Sequence, residues 1–307
     1  MTYLVGDIGG TNTRLALADA SGVRIESVMR ASNDDYKSFD AVLAAYLAKT
    51  TPGDLAGVCI AIAGPVHSGE GELTNRDWFL SVENLRTQTG APHAELINDL
   101  SALGYALARI STDPVCGTKH EPTNGQALVA GMGTGFNVSP TRRNARGGLT
   151  AMEAELGHAE LPYSVGKLLR DELGDGADIF VTYEDCFCGR GLERLHQVVS
   201  GQRKGGKEIV DGFANGCTDA TRTVRLFARA LGRLTQAMIL QYMPRDGVAF
   251  AGSASKGVLT SAALPDFMTE LTRDAHDIVD PETFPISLIT DDAAALAGCV
   301  QYLEQTS

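Results

Sequence analysis

A glycine-centred turn flanked by apolar strands occurs twice in this chain, about 125 residues apart, as YLVGDIGGTNTRLALA over 3–18 and ALVAGMGTGFNVS over 127–139. The flanks alternate or run in β-branched and aliphatic residues, the pattern of half-buried strands, and the glycines allow the positive φ that a tight hairpin needs. Turn amides donate hydrogen bonds with no bulky side chain in the way, so an exposed glycine turn is an anion cradle. One such turn is ordinary chain reversal. Two of them point to a pair of lobes that clamp one polyanion.

A chain of 307 residues exceeds what one compact core usually supports, so two lobes with a ligand-binding cleft between them are expected. With 38 acidic against 26 basic residues the net charge is −12, and no Lys/Arg run is longer than a pair. That balance disfavours nucleic acid or an anionic membrane surface as a partner, and any phosphate must be held locally by turn amides, a helix N-terminus or a metal ion. The N-terminus MTYLVGDIGG lacks a basic leader, and apolar runs such as 58–63 are too short to span a bilayer, so a soluble cytoplasmic chain is expected. Six scattered cysteines, at 59, 116, 186, 188, 217 and 299, fit a reducing compartment without disulfides.

Strands are expected at 3–8, 12–19, 23–29, 57–62 and 94–97, with a helix near 36–48 and another from about 100, which makes a mixed sheet covered by helices. The turn-rich stretch STDPVCGTKHEPTNG over 111–125 marks a junction. It divides a small α/β domain, 1–109 with 291–307, from a large one over 110–290. The second half opens with strands 127–131 and 135–139. Its longest helix is expected over 218–243, where Val224, Phe227, Leu231, Leu234, Met238 and Tyr242 recur at helical spacing until Pro244. Strands at 247–251 and 286–289 and a helix over 292–304 complete the reading.

The chemistry-bearing motifs begin with an absence: there is no GxxxxGK[ST], and neither glycine turn has the spacing of GxGxxG opening a helix. Asp99 follows one strand and precedes a helix, a place suited equally to a helix cap and to a general base. Glu155 and His158 lie three apart, so a helical turn would put them on one face. Cys186 and Cys188 with His158 make three candidate zinc ligands where four are usual, which leaves free thiols as the default.

The residues Asp7, Gly9, Gly10, Thr11, Asn12 and Arg14 in a strand–turn–strand resemble the first phosphate motif of the sugar kinase, Hsp70 and actin superfamily. Gly133, Thr134 and Gly135 resemble its second phosphate motif, and Gly252 and Ser253 after a buried-looking strand resemble its adenosine motif. The order DIGGTN, AIAGPV, IND, GTG, ELGH and a downstream Glu184 resembles the bacterial glucokinase family over nearly the whole chain.

The resemblance implies a two-lobed actin-like ATPase (ribonuclease H-like) fold, ATP-dependent phosphorylation of D-glucose to glucose 6-phosphate, Mg²⁺ as cofactor and a homodimer. It implies that Gly6, Asp7, Ile8, Gly9, Gly10, Thr11, Asn12, Gly133, Thr134, Gly252 and Ser253 bind the nucleotide, with Asp7 holding Mg²⁺ through water. Asp99 becomes the general base, and Asn98, Asp99, Gly135, Glu155, His158 and Glu184 hold the sugar. A kinase for another hexose or amino sugar, or a sugar-sensing relative without catalysis, are the alternatives. Two places depart from the family pattern: Phe136 and Asn137 follow GTG where a small residue is usual, and Arg190 stands where proline is common. The second departure bears on the register of Glu184, for which Asp185 and Glu193 are the alternatives.

Overall fold

A computed structural model describes residues 1–306 except Asn75, Lys119, His120, Pro122, Arg146 and 275–278. The chain forms two compact units. The first comprises Met1–Ser111, Arg143–Glu153 and Asp291–Ser307, and the second comprises Thr112–Arg142 and Ala154–Thr290.

In the first unit the strands Tyr3–Ile8 and Asn12–Asp19 pair antiparallel, with Asp7 opposite Arg14. On its other side Tyr3–Ile8 pairs in parallel with Gly57–Ile62, which pairs in parallel with Ala94–Asn98. Gly57–Ile62 is buried at every position, as a central strand covered on both faces should be. One face carries Leu4, Ile60, Phe39 and Tyr46, and the other packs Val5, Cys59 and Tyr105 against the helix Ala294–Thr306. That helix crosses the helix Asp99–Ala106 closely, since a Cβ on Gly298 would lie 1.8 Å from the Ala102 carbonyl oxygen.

The segment Arg143–Glu153, which the sequence reading placed in the large domain, belongs to the first unit. Leu149 is buried against Leu296 and Val300, and Gln305 both donates to the Leu149 carbonyl at 2.7 Å and accepts its N–H at 3.1 Å. A second correction concerns 23–29, which is not one strand. Gly22–Val23 and Met29–Ser32 are separate strands joined by the 3₁₀ turn Ile25–Ser27. The Ser27 hydroxyl takes the place of a ladder partner, accepting from the Leu17 N–H at 2.9 Å and donating to the Arg24 carbonyl at 2.6 Å. The expected helix near 36–48 runs over Phe39–Thr50 because Ser38 caps it, accepting from the Ala41 N–H.

The second unit repeats the arrangement. Gln126–Met132 and Phe136–Arg143 form an antiparallel hairpin, and Gln126–Met132 pairs in parallel with Gly247–Ala251, itself parallel to Ile286–Ile289. The stretch 111–125 contributes the edge strand Asp113–Cys116, and three of its residues, Lys119, His120 and Pro122, lie outside the described residues. The helix Thr218–Tyr242 buries Val224, Phe227, Leu231, Leu234 and Met238, the apolar stripe of the sequence. It packs against the helix Leu264–Thr272, whose Glu270 is 1% exposed and meets Arg229 at 3.3 Å, Arg233 at 2.7 Å and Arg273 at 3.0 Å.

Removing one partner of a buried ion cluster leaves uncompensated charge. Since the three arginines partly reach solvent, Glu270→Ala should lower the unfolding free energy by about 3 kcal/mol, the low end of the range for buried pairs. Chemical denaturation checks this, and a loss below about 1 kcal/mol would show that solvent satisfies the arginines.

Candidate active site

The first glycine turn joins Tyr3–Ile8 to Asn12–Asp19, and the Gly9 N–H closes it onto the Asn12 carbonyl at 2.9 Å. Asp7 sits just before it, with Arg14 Nη1 3.0 Å from its Oδ2. Burial pushes the Asp7 carboxyl up from its ordinary value, and the adjacent guanidinium pulls the other way. None of Gly9, Gly10, Gly133 and Gly135 has a positive φ, contrary to the expectation from hairpin chemistry.

The turn is held from behind by two residues that sequence reasoning missed. Buried Asn33 donates from Nδ2 to the Gly9 carbonyl at 2.8 Å and from its backbone N–H to the Thr11 carbonyl at 2.9 Å. Its Oδ1 accepts from the Thr13 hydroxyl at 2.8 Å. Arg76 donates from Nε to the Gly10 carbonyl at 3.4 Å and from Nη1 to the Asn33 carbonyl at 3.2 Å, and pairs with Asp34. No local signal marks either residue, because both reach the turn only through the tertiary fold.

At the end of Ala94–Asn98, it is Asn98 that caps the helix Asp99–Ala106. Its Oδ1 accepts from the N–H groups of Leu100 at 2.9 Å and Ser101 at 3.3 Å, and its Nδ2 donates to the Gly64 carbonyl at 3.2 Å. Asp99 is therefore the first helical residue rather than the cap. It is half-buried, and its Oδ1 accepts from the Leu100 N–H at 2.8 Å. A carboxylate there is favoured by the helix dipole. The AIAGPV motif needs its glycine for a close approach, since a Cβ on Gly64 would lie 2.0 Å from the Glu72 carbonyl oxygen.

In the second unit the Gly133 N–H bonds the Gly135 carbonyl at 3.1 Å, and the Gly189 N–H reaches the Gly133 carbonyl at 2.9 Å. Thr134 is exposed at the turn. Gly252 precedes the helix that starts at Ser253 and has φ +104°; a Cβ there would meet the Met132 carbonyl oxygen at 2.4 Å. The adenosine-like motif and the second glycine turn are thus in contact, and only glycine permits it.

Glu184 lies against the same turn. Its Oε2 accepts the Phe136 N–H at 3.2 Å, and a Cβ on Gly135 would lie 2.4 Å from that oxygen. Its Oε1 is 2.7 Å from Arg190. The alternatives are committed elsewhere. Asp185 closes a capping box with Thr182 and pairs with Arg194 at 2.6 Å, while Glu193 accepts from the Gly206 N–H at 3.0 Å. Arg190, read from the sequence as a departure, is the partner of the glutamate.

The ELGH segment joins this group through the other departure. Asn137 donates to the Ala154 carbonyl and accepts from the Leu156 N–H at 3.0 Å, so it staples 154–156 to the hairpin. Phe136 stacks on Tyr183 with ring centroids 5.7 Å apart. Glu155 precedes the 3₁₀ turn Leu156–His158, and both Glu155 and His158 are exposed at it.

The cysteines have their own duties. Cys188 caps the helix Gly189–Ser200 through its sulfur, which accepts from the Gly191 N–H at 3.3 Å and donates to the Glu184 carbonyl at 3.1 Å. Cys186 is fully buried, and that burial pushes its thiol up, away from the thiolate a metal would need. Among the described residues no group of three or more His, Cys, Asp or Glu is arranged to hold a metal.

Comparison with known proteins gives a consistent result. The family model "Glucokinase" matches residues 4–306. A glucokinase of Erwinia tasmaniensis is 29% identical over 99% of this chain and 97% of its own length. One from Caulobacter vibrioides is 30% identical over 83% of this chain and 81% of its own. The crystal structure of a glucokinase from an Antarctic psychrotroph superposes with a TM-score of 0.82 at 25% identity, covering 99% of both chains. The match over almost every residue, on an actin-like sugar kinase fold, establishes that this chain belongs to the glucokinase family.

Proposed function

We propose that the chain transfers the γ-phosphoryl group of ATP to the 6-hydroxyl of D-glucose, giving glucose 6-phosphate and ADP. Beyond family membership, the observation that carries this reading is the convergence in the second unit of a glycine turn, the exposed Glu155–His158 turn and Glu184. Polyols are recognised by carboxylate and imidazole groups, and where bound sugar shields such groups from water a wrong epimer leaves them buried and unpaired at about 1–3 kcal/mol each.

In this reading Asn98, Asp99, Gly135, Glu155, His158 and Glu184 bind the sugar. Asp99 accepts the proton of the 6-hydroxyl as its oxygen attacks phosphorus, and the bond to the ADP oxygen breaks. The nucleotide is bound by Gly6–Asn12, Gly133–Thr134 and Gly252–Ser253, and the turn amides left free of protein partners among the described residues offset the charge on the transferred group.

Asp7 is the residue that would hold Mg²⁺. Arg14 engages only its Oδ2, and among the described residues nothing bonds Oδ1. A single carboxylate with water is the donor set that magnesium accepts, and a cation nearby relieves the penalty burial puts on the charged carboxylate. When bound, the ion neutralises phosphate charge. A cytoplasmic homodimer completes the proposal; no helix among the described residues is long and apolar enough to cross a membrane.

Asp99→Asn should lower kcat by about 10³-fold, within the range for loss of a general base. Glucose affinity by calorimetry should stay within about threefold, since the amide keeps hydrogen bonding. If kcat survives within tenfold, Asp99 is not the base. A second test separates the carboxylates: Glu184→Gln should weaken glucose binding by about 10–100-fold, the size expected for losing a hydrogen bond to a charged group. Asp185→Asn should leave glucose binding unaltered and cost stability at its cap instead. The opposite pattern would move the sugar contact to Asp185.

A further inference from the structure

Among the described residues, neither the Gly10 nor the Thr11 N–H donates to a protein group, while the carbonyls of Gly9, Gly10 and Thr11 are all occupied. In a planar trans peptide the C=O of one residue and the N–H of the next point in opposite directions. Pinning the Gly9 carbonyl to Asn33 Nδ2 therefore aims the Gly10 N–H away from Asn33. Pinning the Gly10 carbonyl to Arg76 Nε does the same for the Thr11 N–H, and pinning the Thr11 carbonyl to the Asn33 N–H does it for Asn12.

We infer that Asn33 and Arg76 are positioning residues for the nucleotide phosphates: they fix the peptide planes of the first glycine turn so that successive amides face the ligand. The inference rests on the proposed placement of ATP phosphates at this turn.

Three features support the inference over a merely structural contact. Asn33 is fully buried, and each hydrogen-bonding group of its side chain reaches this hairpin: Nδ2 to Gly9 and Oδ1 to Thr13. Arg76 binds the Asn33 carbonyl as well as the turn, so the two residues act as one brace. The Arg76 guanidinium also sits 5.3 Å from the Trp78 ring centroid and pairs with Asp34, which fixes its plane and answers its charge. A fixed guanidinium is a brace, whereas an unpaired one would be a phosphate ligand in its own right. Glycine turns are otherwise soft, and a cradle that must be ordered by its ligand loses affinity to the entropy of ordering.

Steady-state kinetics on Asn33→Asp, Arg76→Met and Arg76→Lys test this, with thermal melting to confirm a cooperative fold. Asn33→Asp replaces the donor to Gly9 by an acceptor at nearly constant volume, and Arg76→Met keeps the apolar stem. Each should raise KM for ATP about tenfold while KM for glucose changes less than threefold, and Arg76→Lys should recover only part of the loss. The inference is overturned if folded Arg76→Met keeps KM for ATP within twofold of the parent, or if both KM values rise together. Full recovery in Arg76→Lys would also overturn it, by showing that charge alone is required. A parent chain that transfers no phosphoryl group from ATP to any sugar would remove the functional reading and this inference with it.

Discussion

Peptide planes in the two glycine turns are set by hydrogen bonds that occupy their carbonyl groups, and the candidate chemistry depends on this. In the first turn Asn33 and Arg76 take the carbonyls of Gly9, Gly10 and Thr11. In the second, the Gly189 N–H takes the Gly133 carbonyl and the Gly133 N–H takes that of Gly135. Because carbonyl and following amide are antiparallel, the N–H groups are turned the other way. In the second turn one of them, that of Phe136, is delivered to the Glu184 carboxylate. The same rule thus turns amides outward in one unit, where we propose that phosphate binds, and places a carboxylate in the other.

Charge favours amides for the proposed task. The chain is acidic by 12 charges, and the basic side chains beside the glycine turns are already partnered: Arg14 by Asp7, Arg76 by Asp34, and Arg190 by Glu184. A paired cation gains little from a second anion, so the proposed phosphate site relies on neutral dipoles and on the proposed Mg²⁺. Arg190 also ties the first turn of its helix to Glu184, whose backbone carbonyl accepts from the Cys188 cap of that helix. These contacts orient the glutamate from both its ends.

Much of the frame was legible because its signals are local. Strands 3–8, 12–19, 57–62 and 247–251 carry continuous or alternating apolar patterns, and the helix 218–242 carries a 3.6-residue stripe ended by a proline. Where a polar side chain replaced a backbone partner, the pattern misled: Ser27 breaks one strand into two, and Asn98 takes the helix cap for which Asp99 was the candidate. The motif residues Asp7, Asp99 and Glu184 could be named from the sequence, but their supports could not. Asn33 and Arg76 lie 20 or more residues from the turn they brace, and Asn137 looked like a defect in a motif until its two hydrogen bonds to the ELGH segment were seen. Hairpin glycines were expected to supply positive φ, yet at Gly135 what matters is the missing Cβ, because the space is filled by a carboxylate oxygen.

The most direct test of the central claim is phosphorus NMR of the purified chain incubated with ATP, Mg²⁺ and one sugar at a time. The account predicts that glucose yields ADP and a phosphate ester on its 6-oxygen in equal amounts, with epimers and amino sugars slower. Transfer to another hexose or an amino sugar with glucose left untouched, or sugar binding with no phosphate ester at all, would contradict it.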